Sequence, residues 1–210
     1  MGYSWGDCNS RESLNMVTIH PQKIEGRWQS GVALDFHTTS STPIGYNEYG
    51  HMQFDTVRPE IAELLYQLKY QGRQDAAAGI IEAAAAFLAS YRDKFDILVP
   101  VPPSSARAVQ PVIVLARGIG TAANLPVVEC ITTTRETTQL KGVTDPERRK
   151  ELVDGLYTVD ASQTSGRNVL LFDDLFRSGT TMNAITDVLL GPGRAASVRA
   201  LTITKTRSNQ

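Results

Sequence analysis

The chain has 210 residues, of which 41% are hydrophobic and 20% are charged, and its formal net charge is −1. This length predicts one domain whose core can fold without disulfides or metals, and the near-neutral charge excludes a global attraction to nucleic acid or anionic membranes. The two cysteines, Cys8 and Cys130, are too few for a disulfide framework or a cysteine-based zinc site.

Residues 1–56 are the least regular part of the chain. The stretch "RWQSGVALDFHTTSS" alternates apolar and polar residues from Trp28 to Phe36, which predicts short antiparallel strands. A loop rich in glycine and tyrosine, "TPIGYNEYGH", follows it. We therefore expect residues 1–56 to form a small hood of strands and residues 57–210 to form the core, within one structural domain.

Two helices are predicted next. "RPEIAELLYQLKYQG" has Pro59 near its start and Gly72 as its stop, with apolar residues at helical spacing between them. "DAAAGIIEAAAAFLASYR" predicts a second helix with Asp75 as its N-cap and a face of small alanines that can lie close to a sheet. Lys69, at the end of the first helix, has the position of a surface charge that is compatible with the helix dipole.

From Asp96 onward, apolar strands alternate with helices. Strands that are apolar along their whole length indicate a mostly parallel sheet covered on both faces. We therefore predict an α/β fold. The strands are expected in "FDILVPVPP", "PVVECI", "LYTV", "RNVLLFDD" and "SVRALTIT", and the helices in "QPVIVLARGIGTAANL" and "TTMNAITDVLLG".

Three polar loops follow predicted strands. They begin after Val101, Ile131 and Phe172. Ligands of open parallel sheets bind outside the carboxyl ends of the strands, so these loops predict a site at one edge of the sheet.

The loop after Phe172 carries the most informative chemistry. Asp173 and Asp174 can accept hydrogen bonds from two vicinal hydroxyls, or attract Mg²⁺ through its waters. The following residues lead into a helix whose first N–H groups can bind an anion, where Gly179 allows close approach. An acid doublet alone favours an ordinary turn with a helix cap. The complete order of acids, glycine and hydroxyls favours a site for a ribose 5-phosphate.

Four motifs resemble, in the same order, those of type I phosphoribosyltransferases of the ComF-like, amidophosphoribosyltransferase-related branch. They are "LLYQLKYQGR", "DILVPVPPSSAR", "RETTQLKGVTDPERR" and "NVLLFDDLFRSGTTM", and they span about residues 58–205. The resemblance implies a type I fold with a central parallel sheet, a hood, a pyrophosphate loop and a mobile catalytic loop. It also implies transfer of 5-phosphoribosyl from magnesium phosphoribosyl pyrophosphate (PRPP) to a nitrogen nucleophile, with release of pyrophosphate.

The resemblance assigns roles to residues of this chain. It implies that Asp173 and Asp174 hold the ribose and Mg²⁺, the metal through water, and that Arg107, Arg135 and Lys141 join them in catalysis. The expected PRPP-binding residues after the acids are Arg177, Ser178, Gly179, Thr180 and Thr181. The expected pyrophosphate loop is Pro102, Pro103, Ser104, Ser105 and Arg107. The segment from Arg135 to Lys150, with Thr138, Gln139, Arg148 and Arg149, is the expected mobile loop.

The chain departs from the family pattern in two places. Arg177 and Ser178 stand where most members have threonines or other neutral residues, which shifts the local charge. Members of the ComF branch often begin with a cysteine-rich zinc module, which two cysteines cannot build. Strands from Trp28 to Thr39 are expected to replace that module as part of the hood, the region on which base specificity usually depends in this fold.

Two other functions compete with this hypothesis. The first is a PRPP- or nucleotide-binding protein without turnover, acting as a regulator or as an accessory factor in DNA uptake or processing. The second, a receiver-like signalling domain, is disfavoured because "DILVPVPP" offers no acid at its carboxyl end. His20, His37 and His51 show no metal-ligand spacing. We expect a cytoplasmic protein with no membrane span, with a homodimer inferred from the resemblance alone.

Overall fold

The computed structural model describes residues 16–103, 110–135 and 145–207, and its centre is a five-stranded sheet. The strands of this sheet are β1 (Gln22–Lys23), β2 (Ser30–Phe36), β5 (Ile97–Pro100), β8 (Asn168–Phe176) and β9 (Ser197–Lys205). Their order is β1-β2-β9-β8-β5, and every pairing except β1 with β2 is parallel. This mixed α/β architecture with a mostly parallel sheet confirms the predicted fold class.

Two antiparallel strand pairs lie outside this sheet. One is the hairpin of β3 (Ser40–Tyr46) and β4 (Met52–Val57), and the other joins β6 (Ile131–Thr133) to β7 (Tyr157–Val159). The hairpin connects the end of β2 to the first helix. Its two strands are almost entirely exposed.

Six α-helices are present in the described residues. They are α1 (Glu60–Tyr70), α2 (Ala76–Ala89), α3 (Pro111–Ala122), α4 (Pro146–Val153), α5 (Ala161–Thr164) and α6 (Thr180–Leu190), and a short 3₁₀ helix covers Arg92–Lys94. None of the helices in these parts of the chain combines the length and the apolar character that a membrane span requires.

The central strands bury side chains on both faces of the sheet. Leu170 and Phe172 belong to the core shared with α1, α2 and α3, whereas Val169 and Leu171 belong to the core shared with α6. This alternation follows from the two-residue period of a strand. It explains why β8 is apolar along its whole buried length.

The prediction of antiparallel strands near Trp28 holds for β1 and β2 but is incomplete. β2 also pairs in parallel with β9, with Ser30 opposite Arg199 and Phe36 opposite Lys205. The segment therefore supplies two strands of the central sheet, and only the β3–β4 hairpin projects from it as a hood.

One local prediction was wrong, and another was confirmed in position only. "PVVECI" forms a single parallel bridge, between Val127 and Leu98, and then enters β6, which pairs antiparallel with β7 instead of joining the central sheet. Asp75 occupies the N-cap position of α2, as predicted, but its side chain forms no cap hydrogen bond and pairs with Arg73.

Candidate active site

Asp173 and Asp174 lie near the carboxyl end of β8, between β5 and β9. The four residues before them, 169–172, are at most 2% exposed. The strand continues through both acids to Phe176 instead of ending at them. Because neighbouring strand residues point to opposite faces, the two carboxylates have different surroundings.

Asp174 is held by Lys69 from the last turn of α1. The Nζ atom of Lys69 lies 2.9 Å from each carboxylate oxygen of Asp174. The two side chains are only 15% and 14% exposed, so water and salt screen this pair less than a surface pair. The interpretation of Lys69 as an ordinary surface charge was therefore wrong.

Asp173 is the more perturbed of the two acids. Burial, together with the negative charge of Asp174, raises the pKa of Asp173 to about 7. The backbone N–H of Asp174 donates to Asp173 Oδ1 at 2.8 Å and opposes part of this rise. On β9, the buried Oγ1 of Thr202, opposite Asp173 in the register, has no hydrogen-bond partner in the described part of the chain.

The loop between β8 and α6 requires a glycine. Gly179, the N-cap residue of α6, has φ +74°, and a Cβ atom there would lie 2.9 Å from the Phe176 ring. The Ser178 and Thr180 hydroxyl oxygens are 2.9 Å apart, and no side chain caps α6. The N–H groups of the first turn, which includes Thr181, are therefore available to bind an anion.

Arg177 precedes this loop and is exposed. It forms none of the ion pairs or side-chain hydrogen bonds found within residues 16–103, 110–135 and 145–207. Its charge is therefore not neutralised by a carboxylate in those parts of the chain.

The predicted pyrophosphate loop begins beside the acids. Pro100 lies opposite Phe172 in the register, and the Val101 N–H donates to the Phe172 carbonyl at 2.8 Å. Pro102 and Pro103 follow directly. Ser104, Ser105 and Arg107 lie outside the described residues, so their predicted roles stay predictions.

The predicted mobile loop is described only at its ends. Arg135 donates from Nη2 to the carbonyl oxygens of Leu152 (3.1 Å) and Asp154 (2.9 Å), and so binds the end of α4. Arg148 pairs with Glu151 at 2.8 Å. The predicted residues Thr138, Gln139 and Lys141, and the side chain of Arg149, lie outside the described structure.

His37, for which the sequence predicts no metal-ligand role, lies close to Asp174. It follows β2, its N–H donates to the Lys205 carbonyl at 2.7 Å, and its Nδ1 lies 3.1 Å from Thr204 Oγ1. The same Thr204 hydroxyl contacts the Asp174 carbonyl oxygen at 3.5 Å. Only the pairing of β2 with β9 brings His37 to this edge, and no sequence motif signals that pairing.

A family model described as "phosphoribosyl transferase domain" matches residues 67–210, which is more than half of the chain. The chain belongs to this phosphoribosyltransferase family. The match confirms the resemblance inferred from the four motifs.

The chain is also similar to individual proteins. Competence protein ComFC of Bacillus subtilis (strain 168) is 27% identical over 158 residues, which are 70% of this chain and 61% of the relative, so this chain spans less than two thirds of its length. A B. subtilis glutamine PRPP amidotransferase structure is 18% identical over 75% of this chain and 34% of its own, with a TM-score of 0.46. A Saccharomyces cerevisiae adenine phosphoribosyltransferase structure is 14% identical over 79% of this chain and 82% of its own, with a TM-score of 0.45.

The phosphoribosyltransferase match begins after the N-terminal segment, yet that segment packs against the loop between β8 and α6. The Trp28 ring meets the Phe176 ring edge-on, with centroids 6.0 Å apart, and Phe176 in turn contacts Gly179. The Arg27 N–H donates to Asn183 Oδ1 at 2.8 Å, which links the same segment to α6. Residues 27–28 therefore pack against the end of β8 and bind the first turn of α6.

Proposed function

We propose that this protein binds PRPP with Mg²⁺ and transfers its 5-phosphoribosyl group to a nitrogen nucleophile, releasing pyrophosphate. The observation that carries the proposal is the juxtaposition of an acid pair on β8 with a glycine-capped helix start five residues later. The first can hold a sugar diol and the second a phosphate. A cytoplasmic location and a homodimer belong to the same proposal.

Each part of the site has a separate task. The N–H groups and hydroxyls from Ser178 to Thr181 bind the 5-phosphate. Asp173 and Asp174 accept hydrogen bonds from the ribose hydroxyls and lie near the ring on which positive charge develops, as in other oxocarbenium-like transition states. The residues that follow Pro102, together with Lys141, stabilise the departing pyrophosphate.

Lys69 must release Asp174 before that carboxylate can bind the ribose or a metal. Both oxygens of Asp174 are committed to the ammonium group in the structure. The released ammonium group stays close enough to balance negative charge that the substrate brings. We therefore include Lys69 in the site, as the residue that occupies Asp174 until the substrate binds.

The residues present fit Mg²⁺ only as an ion that the substrate helps to hold. The described parts of the chain contain no group of three histidine, cysteine or carboxylate side chains that could hold a metal. Mg²⁺ typically keeps several waters and binds one or two carboxylates plus substrate phosphates, which matches Asp173 and Asp174. When bound, the ion would neutralise charge on the pyrophosphate.

A second candidate function is binding of PRPP or a nucleotide without turnover, by a regulator or an accessory protein of DNA uptake or processing. The similarity to a protein named for competence favours it. Both functions use the same loop for the ribose phosphate, and they differ only in whether the pyrophosphate leaves.

A calorimetric titration of PRPP, with and without Mg²⁺, tests the binding that both functions share. A pyrophosphate-release assay with nucleobases and amines as acceptors then separates them. We expect magnesium-dependent binding and release with at least one acceptor. Binding without release for any acceptor would favour the accessory function, and absence of binding would contradict both.

A further inference from the structure

The charges of three cations act on His37 close to Asp174, and we call this group the cationic corner: His37, Arg58, Lys69 and Arg177. His37 and Arg58 lie at the two ends of the β3–β4 hairpin. The register that pairs Ser40 with Val57 brings these ends together at the root of the hairpin.

One residue of the corner contacts Asp174 directly, and His37 is linked to it through Thr204. Lys69 binds the Asp174 carboxylate, and Thr204 Oγ1 lies between the Asp174 carbonyl oxygen (3.5 Å) and His37 Nδ1 (3.1 Å). Arg58 is fixed above the Tyr66 ring of α1, with its guanidinium carbon 4.2 Å from the ring centroid. The corner is thus built on the ends of β2, β8 and β9 and on α1.

The charges of the corner act on His37. Burial, together with the positive charges of Lys69, Arg58 and Arg177, lowers the pKa of His37, and Asp174 opposes that shift. These charges and burial therefore favour the uncharged imidazole. Its Nε2 atom has no hydrogen-bond partner within the described residues.

The carboxylates nearby do not balance all three cations. Lys69 has Asp174, and Arg58 has Glu63 at a loose 3.6 Å. The Nε of Arg58 is buried and has no hydrogen-bond partner in the described part of the chain, and Arg177 has no carboxylate partner there. With Lys69 balancing the charge of the substrate, Arg58 and Arg177 still provide positive charge and unused donors.

We propose that the cationic corner recognises a negatively charged acceptor, a nitrogen heterocycle or amine that carries a carboxylate. This inference rests on the proposed function and names the substrate class for it. Arg58 and Arg177 bind the carboxylate, and His37 Nε2 bonds to the acceptor nitrogen. The 5-phosphate of PRPP has other donors, at the start of α6.

Matched ligand pairs test the proposal. The pairs are nicotinate with nicotinamide, orotate with uracil, and anthranilate with aniline, and each differs in one carboxylate. The titrations are calorimetric, in Mg²⁺ and saturating ribose 5-phosphate, which fills the sugar site but has no pyrophosphate to lose. We expect at least one carboxylate to bind roughly tenfold more tightly than its neutral partner.

Variants assign that preference to the corner. We expect Arg58→Gln and Arg177→Gln each to reduce the preference at least about threefold, because each removes one cation. Arg117→Gln is the matched control, since Arg117 pairs with Glu129 outside the corner, and it should keep the full preference. If the corner binds the phosphates of PRPP instead, Arg58→Gln and Arg177→Gln should each weaken Mg-PRPP binding, and the wild type should show no preference for the carboxylate ligands.

The outcomes separate this inference from the proposed function. Mg-PRPP binding is measured first on the same protein, and its absence overturns both. PRPP binding without a carboxylate preference in any pair, or with a preference that survives in both arginine variants, overturns the inference alone.

Discussion

The β8–α6 loop and the β3–β4 hairpin lie on the same edge of the molecule but are built differently. The Trp28 ring packs edge-on against Phe176, the Phe176 ring lies beside Gly179 of the loop, and the loop follows a buried strand. The hairpin exposes large apolar side chains, including Tyr49 at 76% and Phe54 at 54%. The loop is therefore constrained by its packing, whereas the hairpin is held mainly at its root, where Ser40 pairs with Val57.

The largest expected effect concerns the acids beside the loop. We expect Asp173→Asn combined with Asp174→Asn to weaken Mg-PRPP binding at least about 100-fold, or about 2.7 kcal/mol, because neutral amides replace charged acceptors. Calorimetry measures the binding and circular dichroism checks that the protein is folded. Asp93→Asn, a change of an exposed acid in the 3₁₀ helix, is the control. Undiminished binding in the folded double variant would refute the site.

Two glycines with the same backbone angle compare the regions directly. Gly179 in the loop has φ +74° and Gly50 at the hairpin tip has φ +75°, but only Gly179 has a neighbour where a Cβ atom would stand. We expect Gly50→Ala to cost about 1 kcal/mol and Gly179→Ala about 2–3 kcal/mol, because crowding against Phe176 adds to the left-handed strain.

Urea unfolding measures both costs, and a ribose 5-phosphate titration measures the effect on the phosphate site. Only Gly179→Ala should weaken that binding. Equal costs for the two substitutions, with unchanged ribose 5-phosphate affinity, would mean that the loop is no more constrained than the hairpin tip.

The third prediction concerns the contribution of the Lys69–Asp174 pair to the free energy of unfolding. We expect Lys69→Met to lower the free energy of unfolding by roughly 1–2 kcal/mol, because it leaves a partly buried carboxylate without its donor. Lys23→Met, which removes an exposed lysine paired with Glu25, should cost far less. A double-mutant cycle with Asp174→Asn measures the coupling, and a coupling energy near zero would contradict a stabilising pair.

Sequence alone predicted the strand–loop–helix arrangement around the acids, because the signals for it are local. The acids, Gly179 and the hydroxyls are consecutive, so one strand–loop–helix unit brings them together whatever the rest of the fold does. The roles of Lys69 and His37 could not be predicted in this way. Lys69 reaches Asp174 across 105 positions, and a lysine in a last helical turn has the same pattern whether it is solvated or paired.

The position of β2 was missed for a different physical reason. Its buried positions include Gly31, against the Trp28 indole, and Asp35, whose carboxylate accepts N–H groups from His20 and Phe36. A glycine and a satisfied acid interrupt the apolar run that marks a strand buried in a parallel sheet. The pattern therefore indicates a half-exposed antiparallel strand. It does not predict the pairing of β2 with β9, which brings His37 close to Asp174.

The raised pKa of Asp173 predicts a pH dependence of stability. A carboxyl whose native pKa exceeds its unfolded value binds its proton more tightly when folded. The free energy of unfolding should therefore fall as the pH rises from about 4 to about 7. A shift of about three pH units, at about 1.4 kcal/mol per unit, limits this fall to about 4 kcal/mol in total, and we expect less because the Asp173 residue is partly exposed to water.

Urea unfolding at a series of pH values measures the fall, and Asp173→Asn should remove it while Asp93→Asn keeps it. If the wild type and Asp173→Asn show the same slope, Asp173 does not hold the proton.

The smallest effect is expected in the hairpin. Ile44→Thr and Phe54→Ser replace exposed apolar side chains, at 67% and 54% exposure, so each should change the free energy of unfolding by less than about 0.5 kcal/mol. Urea unfolding at two protein concentrations is the measurement. A larger loss that depends on concentration would mean that a second copy covers these side chains, since only an association buries surface that a monomer leaves in water. The hairpin would then be an assembly surface. An effect near zero at both concentrations would mean that these side chains stay in water.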